Sequence, residues 1–60
     1  MRMILENRRK GLQAWAQFDD TASVWEIFAS DTGEDYIGCA DSIPEARAVA
    51  SAWFAEFESR

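Results

Sequence analysis

The hydrophobic pattern of this 60-residue chain changes period once, from two in most of its length to about 3.6 near its end. Apolar residues recur at every second position over residues 12–18, which predicts a strand. Val24–Phe28 is rich in β-branched and aromatic residues and predicts a second strand. A short third strand is predicted over residues 35–40, and turn-forming residues separate the three strands at 19–23 and 30–34.

The last third of the chain predicts a helix over residues 43–58. Ser42 followed by Glu45 forms a capping box, in which each side chain accepts a hydrogen bond from the other residue's backbone N–H. Pro44 falls in the first turn, where its missing N–H costs nothing. The apolar stripe of the predicted helix consists of Ala46, Val49, Ala50, Trp53 and Phe57.

These elements predict one α+β domain over residues 1–60, a three-stranded antiparallel meander packed on one face by the C-terminal helix. The first ten residues allow two interpretations. They form either a frayed basic arm or a short extra strand at residues 1–5, which would turn through 7–11 and become an edge of the sheet. A core this small supplies only about 3–5 kcal/mol, so we expect association with a partner.

A sheet that is covered by one helix keeps a second face. Along the second strand Trp25 and Ile27 point to one face, while Val24 and Phe28 point to the other. Trp15 points away from the other apolar residues of its strand. Either face therefore carries large apolar side chains, and we expect the uncovered one to be an interface. The apolar candidates for this interface are Trp15, Val24 and Phe28.

The charge of the chain is negative and unevenly distributed. Eleven Asp and Glu residues against six Lys and Arg residues give a net charge of −5. Residues 1–10 carry +3, whereas residues 11–60 carry −8. A phosphate backbone repels so acidic a body, so a basic protein surface is the expected partner and direct nucleic-acid binding is not favoured.

The sequence lacks the residues that most catalytic and metal sites need. With no His and a single Cys, neither an internal disulfide nor a common zinc site is available. Cys39 has no His base to activate it, and Asp31-Thr32-Gly33, the tripeptide of aspartic proteases, has the composition of a turn. We expect no enzyme, no metal and no cofactor. No targeting segment or apolar run of membrane-spanning length is visible, so we expect a cytoplasmic protein.

The predicted topology gathers acidic residues at the two ends of the sheet. The first turn lies beside the start of the helix, where carboxylates complement the helix dipole. The second turn lies beside the end of the helix, where each carboxylate is unfavourable by about 0.3–1 kcal/mol, so acids placed there suggest a binding role. The predicted partner-binding residues are Asp31, Glu34, Asp35, Glu56 and Glu58, followed by Asp19 and Asp20.

In size, acidity, α+β build and lack of catalytic residues, the chain resembles the small phage-encoded inhibitors of bacterial defence, the anti-CRISPR proteins. The resemblance is one of type, covers the chain as a whole and is not carried by a motif. It implies a stoichiometric inhibitor that occupies the DNA-binding surface of an RNA-guided complex in the cytoplasm of a bacterial host.

The order of elements also resembles the arm-type, N-terminal DNA-binding domain of phage integrases over about residues 12–57. That family combines a three-stranded sheet, a strand with Trp, a Gly turn and a helix that opens with Ser or Thr and then Glu-Ala. The matching residues are Trp25, Gly33, Ser42, Glu45 and Ala46. Where the family presents basic residues on its exposed sheet face, this chain has Gln13, Gln17 and Glu26. The resemblance therefore implies the fold and not DNA binding.

The predicted function is that of a non-catalytic, protein-binding inhibitor of a bacterial nucleic-acid-handling complex, with no membrane partner. The alternative is a small DNA-binding or regulatory module. Its phosphate contacts would be Arg8, Arg9 and Lys10. A homodimer is also compatible with the sequence, through the uncovered sheet face or through the outer side of the helix. That side carries Ala48, Ala52 and Ala55.

Overall fold

Four strands and one helix make up the fold. The computed structural model describes the backbone of residues 1–58 and the side chains of residues 1–57. In chain order the elements are β1 (Arg2–Asn7), β2 (Leu12–Asp19), β3 (Val24–Phe28), β4 (Tyr36–Ala40) and α1 (Ile43–Glu58). The strands form one antiparallel sheet in the order β1-β2-β3-β4. The predicted α+β class, the meander and the helix over residues 43–58 are confirmed.

The N-terminal residues form an edge strand and not a frayed arm. Strand β1 pairs with β2 over most of its length, with Met3 opposite Trp15. A tight turn joins the two strands, in which the Gly11 N–H donates to the Arg8 carbonyl oxygen at 3.3 Å. Gly11 has a φ of 69°, which favours glycine because it has no Cβ. The three basic residues at positions 8–10 therefore lie at the tip of a hairpin.

The outer edge of β1 is irregular. The register shifts between Met3 and Leu5, so that Ile4 is the extra residue of a β-bulge. The Arg47 Nε atom donates to the Ile4 carbonyl oxygen at 3.2 Å. The bulge in this edge strand and the helix side chain that is bonded to its carbonyl oxygen both hinder pairing with another chain. This edge is therefore protected.

The start of α1 is capped by side chains, as the sequence predicts. The Ser42 Oγ atom accepts a hydrogen bond from the Glu45 N–H at 3.3 Å. In return the Glu45 carboxylate accepts a hydrogen bond from the N–H of Asp41, one residue before the cap, at 3.0 Å. The first helical bond runs from the Ala46 N–H to the Ser42 carbonyl oxygen at 2.8 Å.

Small side chains form most of the core between the helix and the sheet. Ala14 and Ala16 of β2 and Ala46 and Ala50 of α1 are all fully buried. The remaining buried residues are Ile4, Ile27, Ala40 and Phe54. Glycine continues this pattern in β4, because a Cβ on Gly38 would lie only 3.5 Å from a methyl group of Val49. The helix therefore lies close to the sheet.

The buried side of the helix differs from the predicted stripe at two positions. Phe54, which the stripe omits, is only 6% exposed, whereas Phe57 is 45% exposed. The buried residues of the helix follow steps of four, from Ala46 through Ala50 to Phe54. Phe57 instead packs beside Trp53, with ring centroids 4.6 Å apart. Including Phe57 in the core was therefore wrong.

Candidate protein-binding face

The sheet has one face against the helix and one face that no element covers, which we call the open face. Residues of the helix-covered face alternate along β2 and β3 and include Ala14, Ala16 and Ile27. Trp15 and Phe28 occupy intervening positions and are register partners on neighbouring strands. The predicted separation of the Trp25–Ile27 face from the Val24–Phe28 face thus matches the burial of Ile27 against the helix.

One row of side chains crosses the whole open face, and we call it the central row. Consecutive register partners on the four strands define it: Met3, Trp15, Phe28 and Tyr36. Trp15 and Phe28 are half-buried, while Met3 is 43% and Tyr36 is 58% exposed. The Phe28 and Tyr36 rings meet edge to face, with centroids 5.6 Å apart. The row is an apolar and aromatic strip that crosses all four strands.

A chain of side-chain hydrogen bonds holds the indole of Trp15. Its Nε1–H donates to the Gln13 side-chain oxygen at 3.2 Å. The Gln13 amide donates in turn to the Glu6 carboxylate at 3.3 Å, and the Arg8 Nε–H donates to the same carboxylate at 3.3 Å. Because the indole N–H is already used, Trp15 is left with its ring and no free hydrogen-bond donor.

A second carboxylate lies on the open face beside the central row. Glu26 precedes Phe28 by two positions on β3, and its cross-strand neighbours are Gln17 and Cys39. The pKa of the Tyr36 phenol is raised by partial desolvation, by a hydrogen bond and charge interaction with the Cys39 thiol, and by the negative charge of Glu26. Tyr36, Cys39 and Glu26 therefore form one electrostatically linked group at the β4 end of the row.

The three apolar residues that the sequence predicts for the interface lie on this face. Trp15 and Phe28 stand in the central row. Val24 begins β3, four positions before Phe28 and on the same side of the strand, and is half-buried. Whether they contact a partner stays a prediction, but their placement on one uncovered face follows from the register.

The loop between β3 and β4, residues 29–35, joins two members of the central row and carries three of the predicted acidic residues. It is closed by a hydrogen bond of 3.0 Å from the Ala29 N–H to the Asp35 carbonyl oxygen, and Asp35 has a φ of 54°. Its Gly33 lies beside the side chain of Met1, whose Cε would be 3.8 Å from a Cβ on that glycine. The loop thus leans across the sheet towards the start of β1. The acidic residues of this loop are Asp31, Glu34 and Asp35.

The end of the helix carries Glu56 and lies beside β1. The C-terminal half of α1 lies along β1, on the covered side of the sheet. A groove between them is lined by Leu5, Glu6, Asn7, Arg8, Ser51, Phe54 and Ala55. Glu56 comes directly after Ala55 of this groove in the sequence. The side chain of Glu58 lies outside the described residues. Glu56 therefore lies apart from the three acidic residues of the loop, because this groove runs beside residues 5–8 whereas the loop contacts Met1.

The acidic residues of the first turn have a structural role in that turn. The Asp19 carboxylate accepts hydrogen bonds from the N–H groups of Thr21 and Ala22, at 2.9 and 3.3 Å. The Ser23 N–H donates to the Asp19 carbonyl oxygen at 2.7 Å. Asp20 is exposed in the same turn. This Asx turn explains Asp19 without a partner.

Sequence reasoning missed two members of the central row, Met3 and Tyr36. Met3 was missed because the sequence of the first ten residues allows either an arm or a strand. It therefore assigns Met3 to no face of the sheet. Tyr36 was assigned to the third strand, but the irregular register between Ile27 and Phe28 hides its pairing with Phe28. The sequence feature that could have identified both residues as members of the row is their apolar character.

Other kinds of site find no support in the described part of the chain. No group of His, Cys, Asp and Glu side chains is arranged there to hold a metal ion. Within the same residues no helix is long and apolar enough to cross a membrane. No family model matches this chain, and neither a curated protein nor a solved structure matches it.

Proposed function

We propose that this chain is a non-catalytic inhibitor that binds a basic protein surface through its open face. Its target is a bacterial nucleic-acid-handling complex of the RNA-guided type, and it acts in the bacterial cytoplasm by occupying the surface that would otherwise receive DNA. The central row is the observation that carries this proposal. An apolar strip of this kind, exposed at both ends and with acidic residues beside it, is typical of an interaction surface.

The charge around the row supports a basic partner. Glu6 and Glu26 lie on the open face, and the β3–β4 loop, which directly precedes Tyr36 of the central row, carries three more acidic residues. No Lys or Arg occurs in the sequence between Lys10 and Arg47, so β2, β3 and β4 carry no positive charge. Complementary charge accelerates encounter with a positive surface and disfavours wrong partners. A second copy of the chain is disfavoured on this face, because the acids of both copies would meet.

The DNA-binding alternative rests on the hairpin tip with Arg8, Arg9 and Lys10. Two observations weigh against it. Arg8 is paired with Glu6, and the open face carries Gln13, Gln17 and Glu26 where a DNA-binding sheet would need cations. A mobility-shift assay at low salt separates the two functions, since a DNA-binding module must retard a duplex and lose that affinity steeply as salt is added.

The proposal is tested by titrating the chain into purified, guide-loaded complexes of several types and measuring their binding to target DNA. We expect saturable inhibition of one type. The double variant Met3→Lys with Tyr36→Lys should raise the inhibitory concentration at least about tenfold, because it places a positive charge at each end of the row, against a basic partner surface. Both residues are already exposed, so the fold should tolerate the change. Phe57→Lys is the matched control, since Phe57 is 45% exposed but lies on the helix.

Two results would contradict the proposal. Inhibition of none of the complexes would remove the inhibitor function. Alternatively, the double variant could inhibit as well as the parent chain while the folded triple variant Glu34→Lys, Asp35→Lys and Glu56→Lys fails. The acidic residues would then be the contact surface and the open face would not. Circular dichroism of each variant confirms that it is folded before inhibition is compared.

A further inference from the structure

The central row offers aromatic ring faces within reach of a carboxylate. Glu26 and Phe28 lie two residues apart on the same side of β3, which corresponds to about 7 Å along a strand. Tyr36 is the cross-strand partner of Phe28, and its phenol already responds to the charge of Glu26. A ring face attracts a cation through its quadrupole, and a carboxylate attracts the same cation through its charge.

We propose that the open face recognises an arginine side chain of its partner, whose guanidinium stacks on an aromatic ring of the central row and pairs with Glu26. This inference rests on the proposed function and names the chemistry of the partner surface. Arginine fits better than lysine because its planar guanidinium stacks on aromatic rings and forms two parallel hydrogen bonds to one carboxylate.

Trp15 provides a second stacking position with a fixed ring. Its N–H is bonded to Gln13, and Gln13 is held by Glu6. A ring that is held before binding loses little conformational freedom when a ligand stacks on it. Glu6 already pairs with Arg8 of the same chain, so the carboxylate that is left to a partner beside the row is that of Glu26.

The occupant follows from charge complementarity. The cross-strand neighbours of Glu26 are the uncharged Gln17 and Cys39, so no cation of the sheet competes for its carboxylate. An acidic peptide or a second copy of the face would be repelled. A purely apolar partner would leave Glu26 desolvated and without a counter-charge, which is unfavourable. A surface that presents arginine satisfies both the rings and the carboxylate.

The test uses the intact chain labelled with ¹⁵N and three synthetic hexapeptides. All three alternate glycine with a second residue, which is arginine, lysine or the uncharged arginine analogue citrulline. The indole N–H signals of Trp15, Trp25 and Trp53 are followed by NMR, with those of the last two as internal controls on the helix side. The ring protons of Tyr36 report on the other end of the row.

The arginine peptide should shift the signals of Trp15 and Tyr36 and leave those of Trp25 and Trp53 unchanged. It should bind at least about threefold more tightly than the lysine peptide, and the citrulline peptide should not bind. Glu26→Gln should weaken arginine binding about two- to fivefold, as expected for a partly exposed pair. Glu56→Gln makes the same charge change on the opposite layer and should leave the binding unchanged.

Equal binding of the arginine and lysine peptides would overturn the inference, since charge alone would then explain it. Equal weakening of arginine-peptide binding by Glu26→Gln and Glu56→Gln would overturn it for the same reason. The absence of any shift of the Trp15 and Tyr36 signals at millimolar peptide would overturn it as well. These outcomes are independent of the inhibition assay. Inhibition without arginine binding would leave the proposed function standing and this inference wrong, and arginine binding without inhibition would do the reverse.

Discussion

Tyr36 is the only tyrosine of the chain, and it stands at the exposed end of the central row. Its position makes a single side chain a reporter of the open face. Partial desolvation, the Cys39 thiol and the Glu26 carboxylate all favour the protonated phenol. A raised pKa in the folded state stabilises the fold below the ordinary tyrosine pKa, and this contribution is lost as the pH rises through the folded value.

The near-ultraviolet absorbance of the phenolate should therefore titrate with a midpoint above the ordinary 10.0 in the folded chain. In denaturant the midpoint should fall back to that value. Glu26→Gln and Cys39→Ser should each lower the folded midpoint, because each removes a cause of the shift. An unchanged midpoint in both variants would mean that neither residue influences the phenol.

Two glycines that the structure uses differently give a second prediction at this scale. Gly11 has a φ of 69° and open space around it, so Gly11→Ala should destabilise the fold by about 1 kcal/mol through backbone strain alone. Gly38→Ala would place its methyl group in ordinary contact with Val49 at 3.5 Å, and it should be neutral or stabilising. Urea denaturation measures the free energy of unfolding of both variants. A larger loss of stability for Gly38→Ala than for Gly11→Ala would contradict this account of the two glycines.

At the scale of the elements, the regular segments were predictable and the irregular ones were not. The period-two pattern of β2 and the capping box of α1 each specify an element by themselves, and the structure confirms both. In β1 the bulge at Ile4 interrupts the alternation that identifies a strand, so its pattern was ambiguous. The β3–β4 loop leans over the sheet through positive φ values at Gly33 and Asp35, which no periodicity records.

The same reasoning explains how much of the candidate site could be predicted. Alternation along two strands was enough to place Trp15, Val24 and Phe28 on one face. To place the acidic residues of the helix end, the direction of the helix across the sheet must be known. This direction depends on packing against Ala14, Ala16 and Gly38 and not on the hydrophobic pattern. Sequence reasoning therefore found the apolar face but did not fix where the acidic residues of the helix end lie.

The helix cap yields the prediction at this scale. Ser42→Ala removes the side-chain acceptor of the Glu45 N–H and should lower the free energy of unfolding by about 1 kcal/mol. Ser51→Ala is the control, because Ser51 is exposed within the same helix and alanine is the better helix former. Denaturation midpoints of the two variants should move in opposite directions, and a loss of similar size in both would argue against the cap.

For the whole molecule, a net charge of −5 on 60 residues means that repulsion among carboxylates opposes folding. Raising the ionic strength from about 0.01 to 0.15 M shortens the screening length from about 30 to 8 Å. The melting temperature should therefore rise over this range, as measured by circular dichroism. A fall would show that attractive pairs such as Arg8–Glu6 dominate the electrostatics.

The central claim is that the open face, and not the helix, meets the partner. Cross-saturation NMR tests it most directly, by irradiating the protonated complex that the chain inhibits and recording the amide signals of the bound, deuterated chain. The account predicts that saturation reaches the amides of the central row: Met3, Trp15, Phe28 and Tyr36. Saturation confined to the outer side of the helix would contradict it, and the reporting residues there are Ala48 and Ala52.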